Sequence, residues 1–216
     1  MKTNAATKSG PAGPVTSGRG LWWVVTCAGA AAVGIAVARP VAELVREPLS
    51  QAVGGMPTVA LFGALFGGCL GLGQALVRWG RTGPHPAWWV LASSVSGAVG
   101  YVVSAKLAPV LTDPIRGKIL VYVSEALGYL VLGAVLGLLI GVVQGGLRRA
   151  SGQGMGGMWI ALSVLGWALG FVVAAGVGLL ITRLPSVTVR DLLFGGLTGL
   201  VAGSLEALGV ARRGGV

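Results

Sequence analysis

Three polar side chains, two amides and one carboxylate, have the types and the spacing that could do chemistry in this chain. Each one ends a glycine-spaced segment, and the three segments are Gly63, Gly67, Gly71, Gln74; Gly133, Gly137, Gly141, Gln144; and Gly195, Gly199, Gly203, Glu206. If the three side chains face one axis, they form a ring with one ionisable member, which inside a membrane indicates a gate or a binding site. The alternative is that interhelical hydrogen bonds from the same side chains only fix packing, in which case Glu206→Gln should be tolerated. We call Gln74, Gln144 and Glu206 the polar ring.

The spacing of the segments identifies the element that positions the ring. It is i, i+4, i+8 and i+11 in every copy. At about 100° per residue these four positions share one narrow face of an α-helix. The glycines leave that face as bare backbone, which predicts close helix–helix contact inside a bilayer.

Composition places the chain in a membrane. Hydrophobic residues make up 54% of it, charged residues only 10%, and the mean hydropathy is +0.84; a soluble domain carries about 25% charged residues. Six apolar stretches have the length of a bilayer-crossing helix, namely Leu21–Ala38, Pro57–Val77, Ala87–Ala105, Ala126–Leu147, Met158–Thr182 and Leu192–Val210. We therefore predict a six-helix transmembrane domain at 21–213 after a disordered cytoplasmic tail at 1–20.

The first apolar stretch has a second interpretation. Lys2, Lys8 and Arg19 precede it, and it ends in Ala36-Val37-Ala38, a sequence typical of a signal-peptide cleavage site. We favour a retained helix, because the stretch shares a residue pattern with two later helices.

That second pattern, with the spacing i, i+4, i+7 and i+11, alternates with the first. Its copies are Trp23, Cys27, Ala30, Gly34; Trp89, Ser93, Ser96, Gly100; and Trp159, Ser163, Gly166, Gly170. We call helices with this pattern W helices and helices with the glycine-spaced segments G helices. Their alternation predicts three tandem two-helix units, at about 21–79, 87–149 and 157–213. Units with an even number of helices share one orientation, so we predict an all-α fold of three helical hairpins around a pseudo-threefold axis along the membrane normal.

The distribution of charge predicts the orientation. The side of the membrane with both termini would hold nine cations and no acid, and the other side seven cations with four acids. Cytoplasmic loops carry the excess of Lys and Arg, so we predict both termini in the cytoplasm and the chain in the cell inner membrane. The net charge of +10 then reflects topology and anionic lipid. No nucleic-acid-binding motif accompanies it, and the partners that we expect are the lipid bilayer and other membrane subunits.

Six of the seven tryptophans stand at the predicted cytoplasmic ends of spans. They are Trp22, Trp23, Trp79, Trp88, Trp89 and Trp159. This position is typical of an interfacial aromatic belt. Trp167 lies in the middle of a span, where packing is the simplest role.

Known catalytic and metal-binding patterns are absent from the sequence. There is one histidine, both cysteines lie within spans, and no Ser/His/Asp set or pair of acids is present. We therefore predict no enzyme activity, no metal site and no cofactor.

The repeated motif resembles that of uncharacterised multi-pass bacterial membrane proteins with tandem two-helix repeats. It runs here from Gly67 to Arg78 with Trp89 and Ser93, and again 70 residues later. The third unit departs from it at Glu206. The resemblance implies a membrane fold and no activity. We predict a non-enzymatic accessory or scaffold subunit of a membrane complex; the alternative is a small channel or transporter with the polar ring on the repeat axis.

Overall fold

A computed structural model describes residues 16–78, 85–115, 121–152, 156–180 and 184–211. They form six α-helices and no strand: α1 (Thr16–Val53), α2 (Met56–Arg78), α3 (Pro86–Thr112), α4 (Val121–Ala150), α5 (Gly156–Leu180) and α6 (Val187–Ala211). Each helix is long and apolar enough to cross a membrane. The prediction of an all-helical chain with six helices capable of spanning a bilayer is confirmed.

Helices are the expected form for these segments, because a helix satisfies its own backbone polar groups where no water is available. Local residues mark several helix ends. His85 caps α3 by accepting a hydrogen bond from the backbone N–H of Ala87 at 3.2 Å, and Pro86 follows at the first turn. Gly54 after α1 and Gly152 after α4 adopt φ values of +84° and +71°, the left-handed conformation that ends helices and favours glycine.

The first helix is longer than the sequence predicts. It has 38 residues and continues through Pro40 and Pro48. It also begins at Thr16, so the last five residues of the predicted disordered tail are helical, because an established helix extends at little cost. Residues 1–15 lie outside the described residues. The helix packs on α2 and α6, which makes the first span part of the bundle.

The six helices form a closed ring in chain order. Each helix packs on the helices before and after it, and α6 returns to pack on α1. Among the described residues, no helix brings its backbone close to a helix on the far side of the ring. The interior is therefore filled by side chains.

All nine glycines of the three segments face a neighbouring helix. A Cβ atom added to any of them would come within 3.0 Å of that helix. The glycines of α2 face α3, those of α4 face α5, and those of α6 face α1. The tightest contacts thus join each G helix to the next W helix along the ring, with backbone against backbone.

Three stripes of side chains fill the interior, one from each G helix, and each stripe has an inward residue at every fourth position. The stripes are Phe62, Phe66, Leu70, Gln74; Leu132, Leu136, Ile140, Gln144; and Phe194, Thr198, Ala202, Glu206. The last three residues of every stripe have no exposed surface. Each stripe precedes the glycine stripe of its helix by one residue, so one helix turns its glycines to a neighbour and its larger side chains to the interior.

Aromatic rings connect five helices across the interior. In order of contact they are Phe62, Tyr101, Phe66, Trp167, Phe171, Phe194 and Tyr129, with successive ring centroids 4.9–6.3 Å apart. We call this chain the aromatic layer. Edge-to-face and tilted contacts at this separation add stabilisation beyond the burial of the rings.

Candidate functional site

The polar ring lies inside the bundle, and its three side chains have no exposed surface. The side chains of Gln74 and Gln144 are brought together directly: Nε2 of Gln144 donates to Oε1 of Gln74 at 2.7 Å. Glu206 makes no hydrogen bond to either glutamine in the part of the chain that the structure describes. The predicted ring is therefore a glutamine pair with a separately bonded carboxyl group.

The glutamine pair takes its other partners from the W helices. Nε1 of Trp89 donates to Oε1 of Gln74 at 3.0 Å, and Nε2 of Gln74 donates to the sulfur of Cys27 at 3.5 Å. Nε2 of Gln144 also donates to the hydroxyl of Ser93 at 3.0 Å. Cys27 and Ser93 occupy the same position in the W pattern. In both W helices, that position accepts a hydrogen bond from the side-chain amide of a glutamine on a G helix.

Glu206 collects three donors from two helices. Nε1 of Trp23 donates to Oε2 at 3.2 Å, while the hydroxyl of Ser163 and Nε1 of Trp167 donate to Oε1 at 3.0 and 3.2 Å. An indole N–H can only donate. Both oxygens of Glu206 are therefore used as acceptors, which a carboxyl group allows and an amide does not.

One part of the network is incomplete. Trp159 occupies the position in its pattern that Trp23 and Trp89 occupy in theirs. Its buried indole N–H, however, has no hydrogen-bond partner among the described residues, and neither has Oε1 of Gln144. The ring of Trp159 instead packs against two neighbours. The guanidinium of the buried Arg148 lies 4.2 Å from its centroid, and the ring of Trp23 stands edge-on at 5.6 Å. A cation over an indole face is an attractive contact.

The aromatic-belt interpretation is wrong for three of the six tryptophans. Trp23, Trp89 and Trp159 are buried, because they pack inside the bundle and two of them bond the polar ring. Trp22 and Trp88 are 66% and 61% exposed, and for these two the belt stays a prediction. Trp79 lies outside the described residues. Trp167 packs in the interior and also donates to Glu206, a role that sequence reasoning did not assign to it.

A cavity of about 600 Å³ opens at the end of the bundle remote from the polar ring. We call it the far cavity. All six helices line it, and its floor includes the first residue of each interior stripe, Phe62, Leu132 and Phe194. Among the described residues, four charged ones line it as well, namely Arg39, Glu125, Arg190 and Asp191. The volume is in the usual range for small-molecule sites.

Two layers of side chains separate the far cavity from the polar ring. Phe66, Leu136 and Thr198 form the first layer by their position in the stripes, and Leu70, Ile140 and Ala202 form the second. All six are fully buried. The interior is therefore closed between the cavity and Glu206 in this conformation.

The charged wall of the far cavity was not predicted from the sequence. Arg39 and Asp191 form an ion pair between α1 and α6, with Nε of Arg39 3.1 Å from Oδ2 of Asp191. The side chain of Asp191 is almost fully buried there. The available signal was an acid directly before an apolar stretch, where a charge close to the bilayer needs a partner.

The polar ring and the far cavity are thus the two candidate sites, and their chemistry is limited to hydrogen bonding and charge. Within the described residues, no group of three or more His, Cys, Asp or Glu side chains could hold a metal ion. Comparison with known proteins finds no match to this chain among family models, curated proteins or solved structures.

Proposed function

We propose that this chain is a non-enzymatic accessory or scaffold subunit of a membrane complex, in the cell inner membrane. The observation that carries the proposal is the closed interior between the far cavity and Glu206. Side chains with no exposed surface fill that interval, and the polar ring takes hydrogen bonds from within the chain. A protein that conducts through its axis needs polar groups left to bind what passes, whereas all but one of the side-chain N and O atoms of the polar ring, Oε1 of Gln144, hold helices together.

The architecture that we propose for it is three two-helix units around a pseudo-threefold axis. Equivalent glycines meet equivalent partners: a Cβ on Gly67 would overlap the carbonyl oxygen of Ser93, one on Gly137 that of Ser163, and one on Gly199 that of Cys27. The bonds of the polar ring follow the same rule, since Gln74, Gln144 and Glu206 bond Cys27, Ser93 and Ser163 in turn. Repetition of both sets of contacts supports internal repeats.

Flux measurements test the proposed function directly. Liposomes that contain the purified protein should pass protons, monovalent cations and small neutral solutes no faster than empty liposomes. Glu206→Gln should leave this result unchanged. A conductance in the wild-type protein that disappears in Glu206→Gln would overturn the scaffold proposal, provided that the variant is shown to be folded. Pull-down from native membranes supplies the positive test, since a scaffold subunit should copurify with a defined membrane partner.

A small channel or transporter is the second candidate, and one observation favours it. The far cavity is a dead end that stops two side-chain layers short of a buried carboxyl group. An alternating-access transporter that is open to one side of the membrane has such a cavity, and the two buried layers would then be its closed gate. Mid-depth breaks in the helices, typical of transporters, are not seen among the described residues. The flux experiment decides between the two candidates.

We also propose that both termini face the cytoplasm, which cysteine labelling can test. Single cysteines are introduced into a chain with Cys27→Ser and Cys69→Ala. Serine should be tolerated at position 27, because Ser93 and Ser163 occupy the matching places in the pattern. A membrane-impermeant maleimide added outside should label Asp113→Cys and leave Ala150→Cys unlabelled, and both positions are exposed. The opposite result would reverse the orientation.

A further inference from the structure

The far cavity carries charges of both signs on different walls. On the wall formed by α1 and α6, Arg39 pairs with Asp191 at 3.1 Å, and Arg190 also interacts electrostatically with Asp191. Two cations and one anion leave this wall with one net positive charge. Glu125 lines the cavity from α4, is exposed, and makes no hydrogen bond or ion pair to any described residue. The described lining is thus neutral in sum but has separated charge.

Aromatic groups surround the acidic side. Tyr122 and Tyr129 lie three residues before and four residues after Glu125, on the same face of α4, and both line the cavity. A carboxylate beside aromatic rings is the combination that holds an ammonium group, because the ring faces attract a cation. The opposite wall offers a guanidinium, which binds phosphate or carboxylate oxygens.

The floor of the cavity is apolar. Phe62, Leu132 and Phe194 lie at its base, and Phe66 and Trp167 of the aromatic layer, which do not line the cavity, pack on each other further inside. A ligand with only charged groups would leave this surface unfilled. A ligand that fills the cavity therefore needs an apolar portion together with one positive and one negative group.

We propose that the far cavity binds a net-neutral zwitterionic amphiphile, with its ammonium group at Glu125 and its anionic group at Arg190. Two sources have this chemistry: the headgroup and upper chains of a zwitterionic membrane lipid, and a water-soluble zwitterion with an apolar group. The proposal goes beyond the proposed function and does not depend on it, since binding at this cavity is compatible with a scaffold or a transporter.

Equilibrium binding of matched probes tests the proposal. The full chain in an uncharged maltoside detergent is titrated with dioctanoyl phosphatidylethanolamine, and saturable binding is followed by native mass spectrometry. The matched probes are dioctanoyl phosphatidylglycerol, which is anionic, and dioctanoyl trimethylammonium-propane, which is cationic. We expect the zwitterion to bind about tenfold or more tightly than either, because the anionic probe has no ammonium group for Glu125 and the cationic probe, whose quaternary ammonium has no N–H, has no anionic group for Arg190.

Variants locate the two charged contacts. Glu125→Gln and Arg190→Gln should each weaken binding of the zwitterion by about tenfold, and Arg190→Lys should keep most of it. Glu43→Gln and Arg46→Gln are the matched controls: these residues form an exposed ion pair at 3.4 Å, they do not line the far cavity, and their replacement should leave binding unchanged. Thermal unfolding of each variant confirms that it is folded.

The possible outcomes distinguish a lipid from a water-soluble ligand, and they distinguish both from the absence of a zwitterion site. Binding of phenylalanine, a water-soluble zwitterion with an apolar group and no acyl chains, as tightly as the dioctanoyl lipid would indicate a water-soluble ligand; binding only with chains would indicate a lipid. Both support a zwitterion site. Equal affinity for all three charged types, no saturable binding, or no response to Glu125→Gln and Arg190→Gln would overturn it. None of these results depends on flux, so failure of the binding proposal can be told apart from failure of the proposed function.

Discussion

Gly137→Leu should lose most of its folded protein in detergent, with a cost of at least about 1–3 kcal/mol from overpacking. A Cβ at this position would already overlap the carbonyl oxygen of Ser163 and lie 2.8 Å from Cα of Val164. Backbone atoms have no rotamer by which to move away, so α4 and α5 must separate. Gly137→Ala should show a smaller loss in the same direction. Size-exclusion chromatography and thermal unfolding measure both effects.

Gly146→Leu is the matched control, nine residues further along the same helix. A Cβ there meets nothing within 4 Å. This variant should melt close to the wild type, or slightly above it, since an open helical glycine is the poorer helix former. Wild-type stability of Gly137→Leu would mean that α4 and α5 leave room for a side chain at Gly137, and it would remove the main support for tight glycine contacts.

Glu206→Gln should destabilise the protein by about 1–3 kcal/mol, the cost of leaving a buried donor without an acceptor. Sequence reasoning predicts tolerance, because an amide keeps interhelical hydrogen bonds. The structure changes that expectation. Trp23 and Trp167 donate to different oxygens of Glu206, and an amide would oppose one indole N–H with its own N–H groups.

A double-mutant cycle separates this cause from a general loss of packing. Trp23→Phe removes the opposed donor, so Glu206→Gln combined with Trp23→Phe should cost less than the sum of the two single changes. Trp22→Phe, at the exposed neighbouring tryptophan, should show no coupling to Glu206→Gln. Additive costs in the first cycle would contradict the bond from Trp23. Unfolding in the same detergent supplies all the free energies.

The membrane fold could be predicted from the sequence because length and apolarity alone define a helix that can span a bilayer. The inner faces were harder to predict. The glycine stripe was visible, but the spacing from Gly71 to Gln74 made the polar residue look like part of it. Gln74 instead continues the interior stripe of Phe62, Phe66 and Leu70, each of which stands one residue before a glycine of the glycine stripe. A period of four carried by dissimilar side chains is a weaker signal than one carried by glycine.

The orientation of the tryptophans could not be read from their position in a span. Trp22 and Trp23 are adjacent and equally suited to an interface. Only Trp23 is buried, and its partner, Glu206, lies 183 residues away. The sequence did hold one indication, since Trp23, Trp89 and Trp159 share a face with small residues that pack inward. The charged pairing in the far cavity depends on contacts between distant helices and had no comparable local pattern.

The return of α6 to α1 has a consequence for how the protein is made. The chain is linear, but the contacts are circular, so α1 is synthesised before the other five helices and meets one of its two neighbours, α6, after all of them. Until α6 enters the bilayer, the backbone of α1 around Cys27 and Ala31 lacks the glycines that cover it, and the indole N–H of Trp23 lacks its acceptor. A nascent chain with α1 to α5 inserted therefore has a gap between α5 and α1. Insertion of α6 into that gap completes the ring of helices.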